Sequence, residues 1–195
     1  MATPHFRADP TREKILKAAR KLFIEKGFSG TSIGKIAEKA GINHSLIFHH
    51  FGNKEGLWKS TKQSIVEKYI KISPVLPKTN QSFPQFLNQL MTQCIAFYRS
   101  NPDIIRMVSW QRCEYKSKKE IGLTLSAESK AWLTAFEYYQ DKGEINKKLK
   151  PEFILTLVLS IVSSAAMDPN VFIQETNDLN KYIKFCLEGL LKLLK

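Results

Sequence analysis

The stretch from Ile33 to Phe51 constrains this chain more than any other. Ile33, Ile36, Ala37 and Ala40 are spaced i, i+3, i+4, i+7, which is one apolar face of a short helix. Gly41 follows and ends that helix in a left-handed conformation that other residues resist. Asn43 is a good N-cap for a second helix, whose inward face is read as Leu46, Ile47 and Phe51. Ala37 is small where the two helices would cross, so Ile47 can approach it. His44, Ser45, Phe48 and His49 are left facing outward.

Two short helices joined at a glycine form a helix-turn-helix, whose second helix enters the major groove of DNA. Short polar and aromatic groups on its outer face suit base edges there. A plain helical hairpin can carry the same turn glycine, so the flanking sequence matters. Residues 1–72 hold 14 Lys and Arg against 6 Asp and Glu, a net of +8. Residues 73–195 hold 16 against 12, a net of +4, within a total of +12. The motif therefore lies in the more basic part, as binding to phosphates requires.

Other chemistries find little support. Cys94, Cys113 and Cys186 are three widely spaced thiols with no Cys-x-x-Cys pair, which argues against a disulfide framework or a zinc site. His44, His49 and His50 have offsets of five, six and one, not the i, i+4 pair a helical metal site wants. There is no glycine-rich phosphate loop and no nucleophile elbow, so an enzyme is not expected and no cofactor is called for. The most apolar run, Phe153–Met167, includes Thr156, Ser160, Ser163 and Ser164 and falls short of the about 20 residues of a membrane helix. No signal-peptide core opens the chain, and a cytoplasmic protein is expected.

Helical periodicity continues throughout. Asp9 and Pro10 start a helix along Ile15, Ala18, Ala19, Leu22 and Phe23, and Gly27 stops it. Thr31 or Ser32 caps the next helix. Asn53 caps a fourth, carrying Leu57, Trp58, Thr61, Ile65 and Tyr69. The proline-containing segment 73–82 divides the chain into residues 9–72, a DNA-binding domain with its connecting helix, and residues 73–195, a larger helical domain. The latter predicts helices from Phe83 to Tyr98, from Asn101-Pro102 to Trp110, over about 118–141 through Ile121 and Leu125, over 151–167, and over about 178–194. The fold class is all-α. The last two helices are apolar enough to pair with the same helices of a second copy, making a four-helix dimer interface.

Thr31-Ser32-Ile33, Ile36-Ala37, Ala40-Gly41-Ile42-Asn43, Leu46-Ile47-Phe48-His49-His50-Phe51 and Asn53-Lys54-Glu55 with Leu57 resemble the N-terminal signature of the tetracycline-repressor (TetR) family. Ile15-Leu16, Ala18-Ala19 and Leu22-Phe23 before Gly27-Phe28 fit it too. The resemblance covers roughly residues 10–60; beyond them only helix count and order agree. It implies a homodimeric transcriptional regulator, most often a repressor, that binds a palindromic double-stranded operator and leaves it when a small-molecule effector binds the body. It further implies that Asn43, His44, Ser45 and His49 face bases or nearby phosphates. Phe48 and His50 would lie along the DNA backbone. Thr31 and Ser32 would meet one phosphate and Lys54 another. Two positions depart from the pattern: Phe48 stands where a tyrosine hydroxyl is usual, and Gly34 where a polar residue is common. In the body, Phe97, Trp110, Trp132 and Phe136 are candidates to line a mostly apolar effector pocket, with Arg112, Gln111 or Arg106 as polar anchor.

Overall fold

The computed structural model describes residues 9–72, 78–114, 127–167, 173 and 175–195. Among these it has nine helices: α1 (Pro10–Lys26), α2 (Ile33–Ala40), α3 (His44–Phe51), α4 (Lys54–Ile72), α5 (Phe83–Ser100), α6 (Pro102–Glu114), α7 (Ala127–Asp141), α8 (Pro151–Met167) and α9 (Thr176–Leu193). No strand occurs among the described residues. Ile121 and Leu125, placed on a helix by their spacing, lie outside the described residues.

Local signals explain the helix ends. Asp9 accepts the N–H groups of Thr11 at 2.9 Å and Arg12 at 3.4 Å, with Pro10 at the first helical position. Gly41 takes φ 64° and ψ 42°, the left-handed turn that lets α3 fold back beside α2. Asn43 accepts the Ser45 N–H at 3.0 Å and starts α3.

The described residues fall into two compact units. The first holds α1 to α4 and, from Asp103 onward, α6. The second holds α5, α7, α8 and α9. A single division at 72/73 does not describe this arrangement, because α6 returns to α1. Arg20 Nε donates to Asp103 Oδ2 at 2.6 Å, Trp110 Nε1 to the Ile24 carbonyl at 3.2 Å, and Ser29 N–H to Glu114 Oε2 at 3.0 Å. Lys62 Nζ donates to Gln111 Oε1 at 2.7 Å. Gly27, with φ 69° and ψ −173°, sits under this helix. A Cβ there would strike Glu114 Oε1 and come within 2.8 Å of the Trp110 ring, so both backbone and space demand glycine.

The first unit closes on Ile15, Ala19, Phe23, Ile36, Ile47 and Trp58. Phe23 meets Trp58 edge-on at 4.8 Å between ring centroids, a geometry aromatic quadrupoles favour. In the second unit α5 packs on α8 and α9, and α7 on α8. Phe86 is its aromatic centre, with Trp132, Phe136 and Tyr139 at 5.6, 5.7 and 4.9 Å. The buried Tyr139 keeps its hydroxyl satisfied by donating to the Gln81 carbonyl at 2.8 Å. α8 buries Ile154, Leu155, Val158 and Val162 but leaves Phe153 exposed. On α9, Phe185 (75 % exposed) and Leu193 flank the exposed Gly189 at intervals of four, so all three share one face. Among the described residues no helix is long and apolar enough to cross a membrane.

Candidate nucleic-acid interface

α3 buries only Ile47 and Phe51 against its own unit. Ser45 and His49 lie opposite these two and are exposed. His44 is exposed and meets the Phe48 ring edge-on at 5.7 Å. Phe48 is 46 % exposed. Leu46 corrects the sequence reading: it is 38 % exposed rather than inward-facing. The buried stripe of this eight-residue helix is narrow, and Leu46 falls outside it.

A second group forms at the first turn of α2. Ser32 is its N-cap and accepts the Lys35 N–H at 3.2 Å. Gly34 has no side chain, and a Cβ added to it would stand 3.8 Å from His44 Nε2 and 3.9 Å from Ser32 Oγ. The bare glycine thus opens the helix start to the imidazole. The N–H groups of Ile33 and Gly34 have no carbonyl within the helix to reach, and such N-termini favour phosphate oxygens. Gly34 thus lies beside Ser32 and His44.

Three expected residues hold structural posts. Asn43 spends its carbonyl oxygen on the Ser45 N–H and hydroxyl, each at 3.0 Å. His50 is largely buried, with Nε2 3.6 Å from Asp9 Oδ2. The Asp9 carboxyl is held below its ordinary range by the Thr11 N–H, with Arg12 N–H and His50 adding to the effect against slight desolvation. Thr31 is 2 % exposed, and its hydroxyl lies 2.7 Å from the Gly27 carbonyl and 3.1 Å from that of Leu22. It closes the turn between α1 and α2 and is not presented to a phosphate. Two adjacent hydroxyl residues precede α2; the cap takes the second, and the first turns inward. Thr31→Val is therefore expected to cost about 1–2 kcal/mol of stability, from carbonyls left short of a donor. It should leave the salt dependence of DNA binding unchanged. A shallower salt slope in the folded variant would restore Thr31 as a phosphate contact.

Lys54 opens α4, where Asn53 accepts the Gly56 N–H at 2.7 Å. Its ammonium stands 4.3 Å above the Phe28 ring, a cation–π seat that fixes its position. Partial burial lowers its pKa, opposed by the carboxylates of Glu55 and Glu114. Lys54→Ala is expected to weaken binding to all duplexes by a similar factor. It should reduce the log–log salt slope by about 0.9 per protomer bound, the signature of one phosphate contact. A loss confined to one operator base would refute that role.

The expected effector residues divide between the units. Trp110 commits its indole N–H to Ile24, and Arg112 is exposed; both belong to the first unit. Phe97, Trp132 and Phe136 belong to the second, where the latter two are packed on Phe86 as core. α5 and α9 also bound an open groove of about 510 Å³, lined by Asn88, Thr92, Asn180, Ile183, Lys184 and Leu187 among others. None of the expected residues lines it.

Comparison with known proteins agrees with this geometry. Residues 15–61 match the model of bacterial regulatory proteins of the tetR family, and residues 87–183 that of the tetracyclin repressor-like C-terminal domain. The HTH-type transcriptional regulator AcrR of Shigella flexneri is 25 % identical over 93 % of this chain and 89 % of its own length. The HTH-type transcriptional repressor NicS of Pseudomonas putida is 31 % identical over 52 % of this chain and 48 % of its own. Among solved structures, a TetR family transcriptional regulator from Pseudomonas syringae superposes with a TM-score of 0.70 at 21 % identity, covering 95 % of this chain and 97 % of that one. Salmonella enterica GusR gives 0.69 at 22 %, covering 97 % and 100 %. These two show the fold.

Proposed function

The chain belongs to the TetR family of DNA-binding transcriptional regulators, and on that premise we propose that it is a homodimeric, cytoplasmic repressor released from a palindromic operator by a small apolar effector. The observation that carries the reading is the outer face of α3. His44, Ser45, Leu46, Phe48 and His49 are exposed, next to the open first turn of α2 and in the more basic part of the chain. A helix that keeps such a face out of its own core has it available for a groove.

The dimer is supported by Phe153, Phe185, Gly189 and Leu193, apolar or small groups left outside on the two last helices. Pairing of these helices between two copies would bury them about a two-fold axis. Two α3 helices about 34 Å apart, or a multiple of it, would then reach successive major grooves.

Release is supported by chain connectivity. Asn101 alone separates α5, in the second unit, from α6, which is fastened to α1. A ligand that displaces α5 would pull on α6, and so alter the DNA-binding unit. Its effect on the operator equals its differential affinity for the two states. Trp132 and Phe136 are core against Phe86, so the effector reading rests on this connectivity and not on them.

Selection of duplexes from a random pool tests the reading. A two-fold symmetric motif, bound by a species of dimer mass in light scattering, is the expected result. Recovery without a symmetric motif, or by a monomer, would overturn it. For the effector, a compound shown calorimetrically to bind the protein should weaken operator binding; unchanged affinity would remove the release mechanism.

A further inference from the structure

Among the described residues of the first unit, the large hydrophobic side chains that stand exposed are Leu46 and Phe48, and both are on α3. Around the helix, at 100° per residue, they flank the polar strip of Ser45 and His49 on opposite sides. The edge-on contact of His44 holds the Phe48 ring in place. Exposed apolar groups on a groove-reading helix need an apolar partner to leave water. The one apolar group that unmodified base pairs present in the major groove is the thymine methyl.

We propose that Leu46 and Phe48 are specificity-determining residues that each read a thymine methyl, on the two sides of the bases met by Ser45 and His49. The proposal rests on the DNA-binding reading and adds the chemistry of two operator positions per half-site. Ser45 and His49 supply hydrogen bonds, and the apolar pair supplies discrimination against cytosine and against thymine without its methyl.

The test uses the full-length protein and the duplex motif it selects from a random pool. Each thymine is replaced in turn, in both half-sites, by uracil, which pairs identically and lacks only the methyl. Burial of one methyl is worth about fourfold, so the symmetric pair should cost about sixteenfold at each of two positions. The Leu46→Ala protein should lose the uracil penalty at one position and Phe48→Ala at the other. Both side chains are exposed, so circular dichroism should show these variants folded. A selected motif with no uracil-sensitive thymine overturns the proposal and leaves DNA binding standing, as do penalties that persist in both variants. A pool that yields no motif overturns the DNA reading as well.

Discussion

A Phe185→Asp protein is expected to be monomeric at micromolar concentration and to lose at least a hundredfold in operator affinity, with its helices intact. Phe185 is 75 % exposed in the single chain, so the substitution removes little from the fold of one copy. In the proposed dimer the two-fold axis would bury it twice. Loss of two phenyl groups removes about 4 kcal/mol, close to a thousandfold in the dimer dissociation constant. Each aspartate brought to the interface adds the further cost of an unpaired charge leaving water. A monomer keeps the contacts of one half-site but loses the linkage that makes the second one intramolecular, worth a factor of about 10² to 10⁴. Gly189 points the same way. A Cβ there would meet nothing within 4 Å in one copy, so an exposed helical glycine that costs about 1 kcal/mol has no reason in the monomer. Dimer mass retained by the Phe185→Asp protein would place the interface elsewhere.

What was legible in the sequence follows from how local each signal is. Asp9-Pro10, Ser32, Gly41 and Asn43 act on backbone within three or four residues, and their roles as helix starts and stops can be read without knowing the fold. The outward set His44, Ser45, Phe48 and His49 was legible for the same reason, since helical periodicity fixes which residues share a side. Leu46 was misread because apolar character was taken for burial, when the width of the stripe touching α2 decides. Thr31 was misread because two hydroxyl residues look alike in sequence, and only the neighbouring carbonyls of Leu22 and Gly27 show which one turns inward. The placing of α6 was hidden for a further reason. Its buried Ile104 and Met107 mark an apolar face but not its partner. Arg20 and Asp103, 83 positions apart, carry no trace of their pairing. Trp110 shows its size and chemistry in the sequence, but not the Ile24 carbonyl that accepts its indole N–H.

The unusual charge in the α4–α6 contact is Lys62, and it makes stability rise with pH. Burial, and to a lesser degree the charge of Lys59, bring its pKa down from 10.5 to about 8. The folded protein therefore holds this proton less tightly than the unfolded chain does. Below pH 8 both states are protonated, and the folded state bears the full cost of a largely desolvated ammonium, which its hydrogen bonding, Gln111 Oε1 at 2.7 Å included, only partly offsets. Between pH 8 and 10.5 the folded lysine is neutral while the unfolded one is still charged, so the cost disappears as pH rises. The whole effect is at most about 3–4 kcal/mol, since each pKa unit corresponds to about 1.4 kcal/mol. Lys62→Met removes the charge and keeps the stem. At pH 7 it should stabilise the protein by about 1–2 kcal/mol, after the loss of the Gln111 hydrogen bond. Urea unfolding of both proteins at pH 7, 8, 9 and 10 separates this lysine from the other groups that titrate there, because those are common to both. The two stability curves should converge as pH rises. Curves that run parallel across the range would mean that Lys62 keeps an ordinary pKa and that its charge is well solvated where α4 meets α6.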